Sequence, residues 1–315
     1  MPDQNVAKNT GRKNRLWYSL SLEVELKLSS QNSLIKLIEC PRDAMQGWKT
    51  FIPTEKKIEY INALLKVGFD TIDFGSFVSP KAIPQMADTR EVVSKLELSG
   101  TESKLLAIVA NVRGAQEASC FEQITYLGFP FSISQTFQQR NTNSTIETSL
   151  LTVEEIQNTC YKKNKQLVVY LSMGFGNPYN DPYSDDIVFK WMNRIASLGI
   201  HIISLADTVG LAAPEQVFRI TDHLVKKMPD CQVGVHLHSS PHDWKEKVDA
   251  ALRGGSTRFD GALKGIGGCP MADDILIGNI NTELVIPYFE SLGLLNTLNK
   301  EALKESLRIA SEIFI

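Results

Sequence analysis

Eight short runs rich in apolar and β-branched residues recur along this chain, most of them separated by stretches with the spacing of amphipathic helices. That alternation restricts the fold more than any other feature. The strand-like runs are residues 34–40, 71–75, 104–111, 123–132, 166–173, 201–206, 232–238 and 258–264. Between them the apolar period lengthens to that of a helix at 54–67, 88–96, 144–163, 185–197, 214–227 and 242–253, and several of these stretches open on Ser, Thr or Asp, the residues that cap a helix. Near-continuous apolar strands have to be covered on both faces, and intervening helices provide the cover. Eight such units fit a closed (β/α)8 TIM barrel better than an open doubly wound sheet. Residues 284–313 read as additional C-terminal helices, and the absence of a linker makes residues 33–315 one domain.

Residues 1–32 read as an appended N-terminal extension. Lys8, Arg12, Lys13 and Arg15 ahead of Leu16-Trp17 have the look of a targeting leader, but Glu23 and Glu25 interrupt the apolar stretch that a secretory signal needs. Leu20, Leu22, Val24, Leu26 and Leu28 alternate instead, as in one amphipathic strand.

Composition narrows the partners. A net charge of −3 gives no attraction for nucleic acid or an anionic membrane, and no apolar stretch nears the ~18–20 residues that cross a bilayer. The five cysteines are scattered and odd in number, which fits reduced thiols in a cytoplasmic protein rather than a disulfide framework.

A barrel places its working side chains at the C-terminal ends of its strands. Arg42 and Asp43 directly follow the first strand. Asp73 lies near the end of the second and Asp207 ends the sixth; an acid in an apolar strand needs a partner, so Asp73 is expected to pair with Arg42, and Asp207 with a histidine or with the turn that follows it. His236 and His238 close the seventh strand two residues apart, on one face. Asn279 follows the glycine-rich segment Gly265-Ile266-Gly267-Gly268-Cys269-Pro270, which puts a thiol on a loop able to approach a ligand closely. Strand eight borders strand one in a closed barrel, so Asp43, His236, His238 and Asn279 are expected together. Their mixed oxygen and nitrogen donors suit Mg²⁺ or Mn²⁺.

With these residues in hand, the chain resembles the 3-hydroxy-3-methylglutaryl-CoA lyases, members of a metal-dependent barrel superfamily that includes isopropylmalate and homocitrate synthases. The resemblance runs over residues 34–313. It is carried by Pro41-Arg42-Asp43 with Gln46, Ser76-Phe77-Val78-Ser79-Pro80-Lys81, Pro84-Gln85-Met86, Arg140-Asn141-Thr142-Asn143, Ser204-Leu205 with Asp207-Thr208, His236-Leu237-His238, and the Gly-Gly-Cys-Pro loop. It implies a TIM barrel that uses a divalent cation to split 3-hydroxy-3-methylglutaryl-CoA into acetoacetate and acetyl-CoA, a step of leucine degradation, and it suggests a homo-oligomer, taken as a dimer.

By position, the resemblance makes Asp43, His236, His238 and Asn279 the metal ligands and Arg42 the cation facing the thioester oxygen. Cys269 becomes the loop thiol that protonates the enolate, with His236 or a water on the metal taking the hydroxyl proton. Asp73 and Asp207 support catalysis, and Gln46, Asn141 and Ser204 line the substrate with Arg42. The chain departs from the family pattern in carrying Asp73 where Glu is usual, Ala44-Met45 where Gly-Leu is usual, and a different, longer segment between Cys269 and Asn279. Those departures bear on the acyl-CoA taken, so a related 3-hydroxyacyl-CoA is one alternative substrate. A Claisen-condensing synthase of the same superfamily is the alternative reaction, disfavoured by the Gly-Gly-Cys loop and by the absence of a long regulatory domain after Ile315. A barrel that has lost catalysis and only binds is the third reading.

Overall fold

A computed structural model describes residues 34–268 and 277–315. The extension expected at residues 1–32, and Cys269 with the segment to Leu276, lie outside the described residues.

The strands are β1 (Lys36–Glu39), β2 (Thr71–Ser76), β3 (Lys104–Ile108), β4 (Ile124–Ser132), β5 (Gln166–Ser172), β6 (Ile202–Ala206), β7 (Gln232–His236) and β8 (Arg258–Gly261). They form a closed barrel in sequence order. Closure is by β1 against β8, parallel, with Lys36 opposite Arg258 and Glu39 opposite Gly261. All eight expected strands are present. Several stop short of the apolar run that signalled them, because the backbone turns at the barrel rim: β7 ends at His236, and β8 gives way at once to the 3-10 turn Leu263–Gly265, where Lys264 takes a φ of 65°.

The outer helices Thr54–Leu65, Ile146–Lys162, Asp185–Ala196, Pro214–Lys227 and Trp244–Arg253 match the expected stretches within a few residues. Thr145 and Ser184 cap two of them by accepting from Thr148 and Ile187 backbone N–H groups at 3.1 and 3.3 Å. Asp88, in the capping position before Thr89–Ser94, spends its carboxylate elsewhere, on the buried Lys57 ammonium at 2.8 Å and on the Thr54 hydroxyl. Three further helices, Pro41–Gln46, Val112–Ala118 and Gln135–Thr142, are too short for a full apolar stripe and went unread. The first matters most: Pro41 at its N-terminal turn, where no amide hydrogen is required, starts a helix that lifts Arg42 and Asp43 over the barrel mouth. Thr282–Ser291 and Lys300–Ile313 are the C-terminal helices.

The barrel interior is packed rather than hollow, with Leu106, Ile108, Tyr126, Val168, Tyr170 and Ile202 forming one cluster. Tyr170, Ser204, Gly234 and Arg258 stand side by side across β5 to β8. A side chain at Gly234 would meet the stem of Arg258 at 3.1 Å, so glycine there makes room for a fully buried arginine.

Glu39 fastens the seam where the barrel closes. Its carboxyl accepts from the Leu263 N–H at 2.7 Å and the Thr282 hydroxyl at 2.6 Å. Complete burial pushes its pKa from 4.5 up to about 8, against the pull of these two hydrogen bonds. The folded protein therefore keeps a proton that the unfolded chain has already lost, and Glu39 makes stability fall as pH rises from about 4.5 to about 8. Melting temperatures across that range should drop more steeply for the wild type than for Glu39→Gln, which stays neutral throughout; parallel curves would show that Glu39 carries no such penalty.

Candidate active site

Arg42, Asp43, Gln46, Asp73, His236, His238 and Asn279, all singled out by sequence, converge on one rim. Arg42 is buried, with its guanidinium shared between two acids. Its Nε lies 3.2 and 3.1 Å from the Asp73 oxygens, and its Nη2 is 2.5 Å from Asp73 Oδ2. Its Nη1 donates to Asp43 Oδ1 at 3.0 Å. The two-point contact with Asp73 fixes the plane of the guanidinium. Burial works against the charge on Arg42, but the two carboxylates outweigh it and hold the group protonated. Burial likewise pushes Asp73 up to about 6 against the attraction of Arg42, which leaves it largely ionised at neutral pH. The expected Arg42–Asp73 pair is thus formed even with the shorter acid.

Asp43 is the hub. Gln46 Nε2 donates to its Oδ1 at 2.8 Å and Asn279 Nδ2 to its Oδ2 at 2.7 Å. Burial would raise its pKa, but Arg42, His236 and Asn279 bring it down to about 2. One ligand atom each from Asp43, His236 and His238 falls within 4.8 Å of the others, a spacing that can hold a metal ion. The two imidazoles face each other Nε2 to Nε2 at 3.3 Å. Burial and the neighbouring His236 depress His238 to about 3, so it is neutral and its lone pair is free to bind a cation. Burial also opposes protonation of His236, yet the hydrogen bond and charge of Asp260, with Asp43, raise its pKa overall.

Asn279 is pinned by an isolated antiparallel bridge to His238. Its amide nitrogen, donating to Asp43 and to the Ile266 carbonyl at 2.9 Å, is the end turned to the cluster; ligation through oxygen would require the amide to turn over. Gly267, at φ +109°, packs against this pair so closely that a Cβ would sit 2.5 Å from Asn279 Nδ2 and 3.0 Å from the Asp43 carbonyl.

Asp207 is not joined to a histidine. Its Oδ2 meets Lys247 Nζ at 3.0 Å and its Oδ1 accepts from the Ala212 N–H at 3.0 Å, so the expected turn contact is made and the charge partner is a lysine. Lys247 also donates to the His238 carbonyl at 2.8 Å, which connects Asp207 to the strand end that carries the two histidines through one ammonium. Ser204 is fully buried in β6 below the site, with no hydrogen-bond partner among the described residues. Asn141, near the end of Gln135–Thr142, is half-buried and joined to this network by no hydrogen bond. Cys269 lies outside the described residues.

Sequence reading passed over Asp260 and Lys247. Asp260 Oδ2 lies 3.2 Å from His236 Nδ1 and orients the ring; the signal was the alternation Arg258-Phe259-Asp260, which aims both charged residues into the barrel. Lys247 sits on the apolar side of its helix with Val248 and Ala251, the one position there where an amphipathic stretch should not have a charge.

Comparison with known proteins follows the same outline. The HMGL-like family profile matches residues 35–309. The chain is 32% identical over 272 residues to the rat cytoplasmic 3-hydroxy-3-methylglutaryl-CoA lyase, covering 85% of this chain and 78% of that protein. To the hydroxymethylglutaryl-CoA lyase YngG of Bacillus subtilis it is 31% identical, over 86% and 90% of the two chains. Among solved structures, an HMG-CoA lyase from Acinetobacter baumannii in complex with coenzyme A and 3-methylmalate superposes with a TM-score of 0.82 at 35% identity, covering 89% of this chain and 91% of that one. A profile match across nearly the whole barrel, together with relatives above 30% identity, shows that the chain belongs to the HMGL-like family.

Proposed function

We propose that the protein is a divalent-metal-dependent carbon–carbon lyase that cleaves 3-hydroxy-3-methylglutaryl-CoA into acetoacetate and acetyl-CoA. The observation that carries this reading is the convergence of Asp43, His236 and His238 within ligating distance of one another, beside an arginine held in place by a second acid. The solved relative's complex with coenzyme A supports an acyl-CoA substrate.

Asp43, His236 and His238 would hold the cation, with Asn279 as the fourth ligand, and their oxygen and nitrogen donors suit Mg²⁺ or Mn²⁺. When bound, that ion supplies a Lewis acid that makes the substrate's tertiary hydroxyl easier to deprotonate. Asp260 raises the basicity of His236 from the Nδ1 side while His238 stays neutral, so both rings can offer Nε2 to the cation, and a water held beside them would take the hydroxyl proton. Arg42, clamped by Asp73, faces the charge that grows on the thioester oxygen as the C–C bond breaks, where a fixed cation is most effective. Gln46 steadies Asp43 and borders the substrate with Arg42, Ser204 and Asn141. Asp207 acts through Lys247 on the His238 backbone. Cys269 returns a proton to the enolate carbon.

The same proposal takes the enzyme as a cytoplasmic dimer serving leucine degradation, a location supported by the naming of the rat relative. Among the described residues no helix is long and apolar enough to cross a membrane.

Incubation of the purified protein with 3-hydroxy-3-methylglutaryl-CoA and Mg²⁺ or Mn²⁺ is expected to release acetoacetate and acetyl-CoA in equal amounts, and chelation to stop it. Folded protein that forms neither product with any divalent ion overturns the reading. Condensation of acetyl-CoA with a keto acid followed by hydrolysis of the thioester, releasing free coenzyme A and a hydroxy diacid, with no cleavage of the acyl-CoA, would identify a synthase instead.

A further inference from the structure

His236 belongs to two clusters at once. Its Nε2 faces His238, whereas its Nδ1 faces Asp260 on the opposite side of the ring. Beside this His236–Asp260 pair stands Cys40, the last residue before the helix that carries Arg42 and Asp43. One ligand atom each from Cys40, His236 and Asp260 lies within 4.8 Å of the others, as in the first set. The donor chemistry differs, however: sulphur, nitrogen and oxygen in place of oxygen and two nitrogens.

From this we infer a second metal site, formed by Cys40 Sγ, His236 Nδ1 and Asp260, that takes thiophilic divalent ions such as Zn²⁺ or Cd²⁺ in preference to Mg²⁺. Softness of the donors sets the preference, since thiolate selects zinc-like ions and carboxylate-rich sites select magnesium-like ones. Bond lengths of 2.0–2.3 Å put neighbouring ligands of a tetrahedral ion about 3.5 Å apart. Donors already within 4.8 Å reach that spacing by small side-chain movements.

One further observation supports it. Asp260 is 4% exposed, yet its Oδ1 has no hydrogen-bond partner among the described residues, so a buried carboxylate oxygen beside the cluster is left without a donor. Binding exchanges one S–H bond for one metal–sulphur bond and releases the proton to solvent. The His236 side chain is 13% exposed and Asp260's is not exposed at all, so the ion enters past the imidazole.

Occupancy of this site replaces Asp260 as the partner of His236 Nδ1 and sets a second dication against the first across one ring. Thiophilic ions should therefore inhibit the Mg²⁺ enzyme. That consequence rests on the lyase reading; the site itself does not.

The test is to titrate Cd²⁺ into Mg²⁺-saturated protein while following the ultraviolet thiolate-to-cadmium charge-transfer band. The band is expected to saturate at one equivalent in the wild type. In Cys40→Ala it should be lost or need at least tenfold more Cd²⁺, with Mg²⁺-supported turnover then spared from inhibition. Cys40 contributes nothing to the first set, so basal turnover of the variant should be retained. A band and an inhibition unchanged in Cys40→Ala overturn the site. So does X-ray absorption of Cd²⁺-loaded wild-type protein showing only nitrogen and oxygen neighbours, a result independent of how the variant folds. A Cys40-dependent band in a protein without lyase activity would sustain the site and refute only the reaction.

Discussion

Replacing Cys269 with Ala is expected to lower turnover by about 10²–10⁴-fold while leaving metal binding intact, the range for loss of a general acid. Cleavage leaves the electron pair of the broken C–C bond on the acetyl-CoA fragment, and that carbon has to gain a proton before the product departs. A thiol suits the task, being acidic enough to give the proton up and apolar enough to sit beside a carbanion. The described residues flanking the segment that holds Cys269 keep close to the Asp43 cluster: Gly267 packs on Asp43 and Asn279, and the Gly278 carbonyl accepts from the Ser239 N–H at 3.1 Å. None of the proposed ligands lies on the thiol itself, so calorimetric titration with Mn²⁺ should give the same affinity in variant and wild type. Near-normal turnover in Cys269→Ala would remove the thiol from the mechanism, and weakened Mn²⁺ binding would reassign it to the metal site.

Lys247→Met should cost the fold about 3–5 kcal/mol, the usual penalty for removing one partner of a buried ion pair. Lys247 and Asp207 side chains are 3% and 1% exposed, so without the ammonium the carboxylate has neither a counter-charge nor water. Burial already raises the Asp207 pKa against the attraction of Lys247. Loss of the lysine leaves only backbone hydrogen bonds such as that from the Ala212 N–H against that burial, and Asp207 will take up a proton as pH falls; the stability deficit should therefore shrink in acid. The double variant Asp207→Asn/Lys247→Met should be less destabilised than Lys247→Met alone, because the amide carries no charge to strand. Denaturant unfolding of both at two pH values checks this, and a deficit below about 1 kcal/mol would place the pair among exposed ion pairs of little consequence. Lys247 also holds the His238 carbonyl, so the same substitution should weaken divalent-ion affinity.

How far the molecule could be read from sequence depended on whether a feature repeats. Apolar runs of the right length occur eight times, and repetition made the barrel and its rim legible; the neighbourhood of β1 and β8 then brought Asp43 and the two histidines together without any contact being known. Pairings that occur once were harder. Arg42 with Asp73 was foreseen because both stood on the rim with unmatched charges. For Asp207, expected to meet a histidine or the following turn, the turn was found and the counter-charge was missed, because Lys247 lies 40 residues away on an outer helix and one charge on an apolar helix side names no partner. Asp260 carried a signal in the alternation Arg258-Phe259-Asp260, but a four-residue strand shows that alternation only once. The helix that carries Arg42 and Asp43 has six residues, fewer than two turns, and periodicity cannot register so short a segment.

The seam between β1 and β8 has a consequence for how the protein is made. Asp43 and Asn279 touch across 236 residues of chain, and Glu39 reaches Thr282 across 243. On the ribosome the first strand emerges long before its final neighbour exists, and it has to wait, one edge open, until nearly the whole chain has been translated. Its buried Glu39 and the helix bearing Arg42 and Asp43 are unsatisfied throughout that interval. Closure joins stretches of chain made more than 200 residues apart, and Asp43, His236 and His238 come together only then. Barrel closure and assembly of this cluster are thereby one late event.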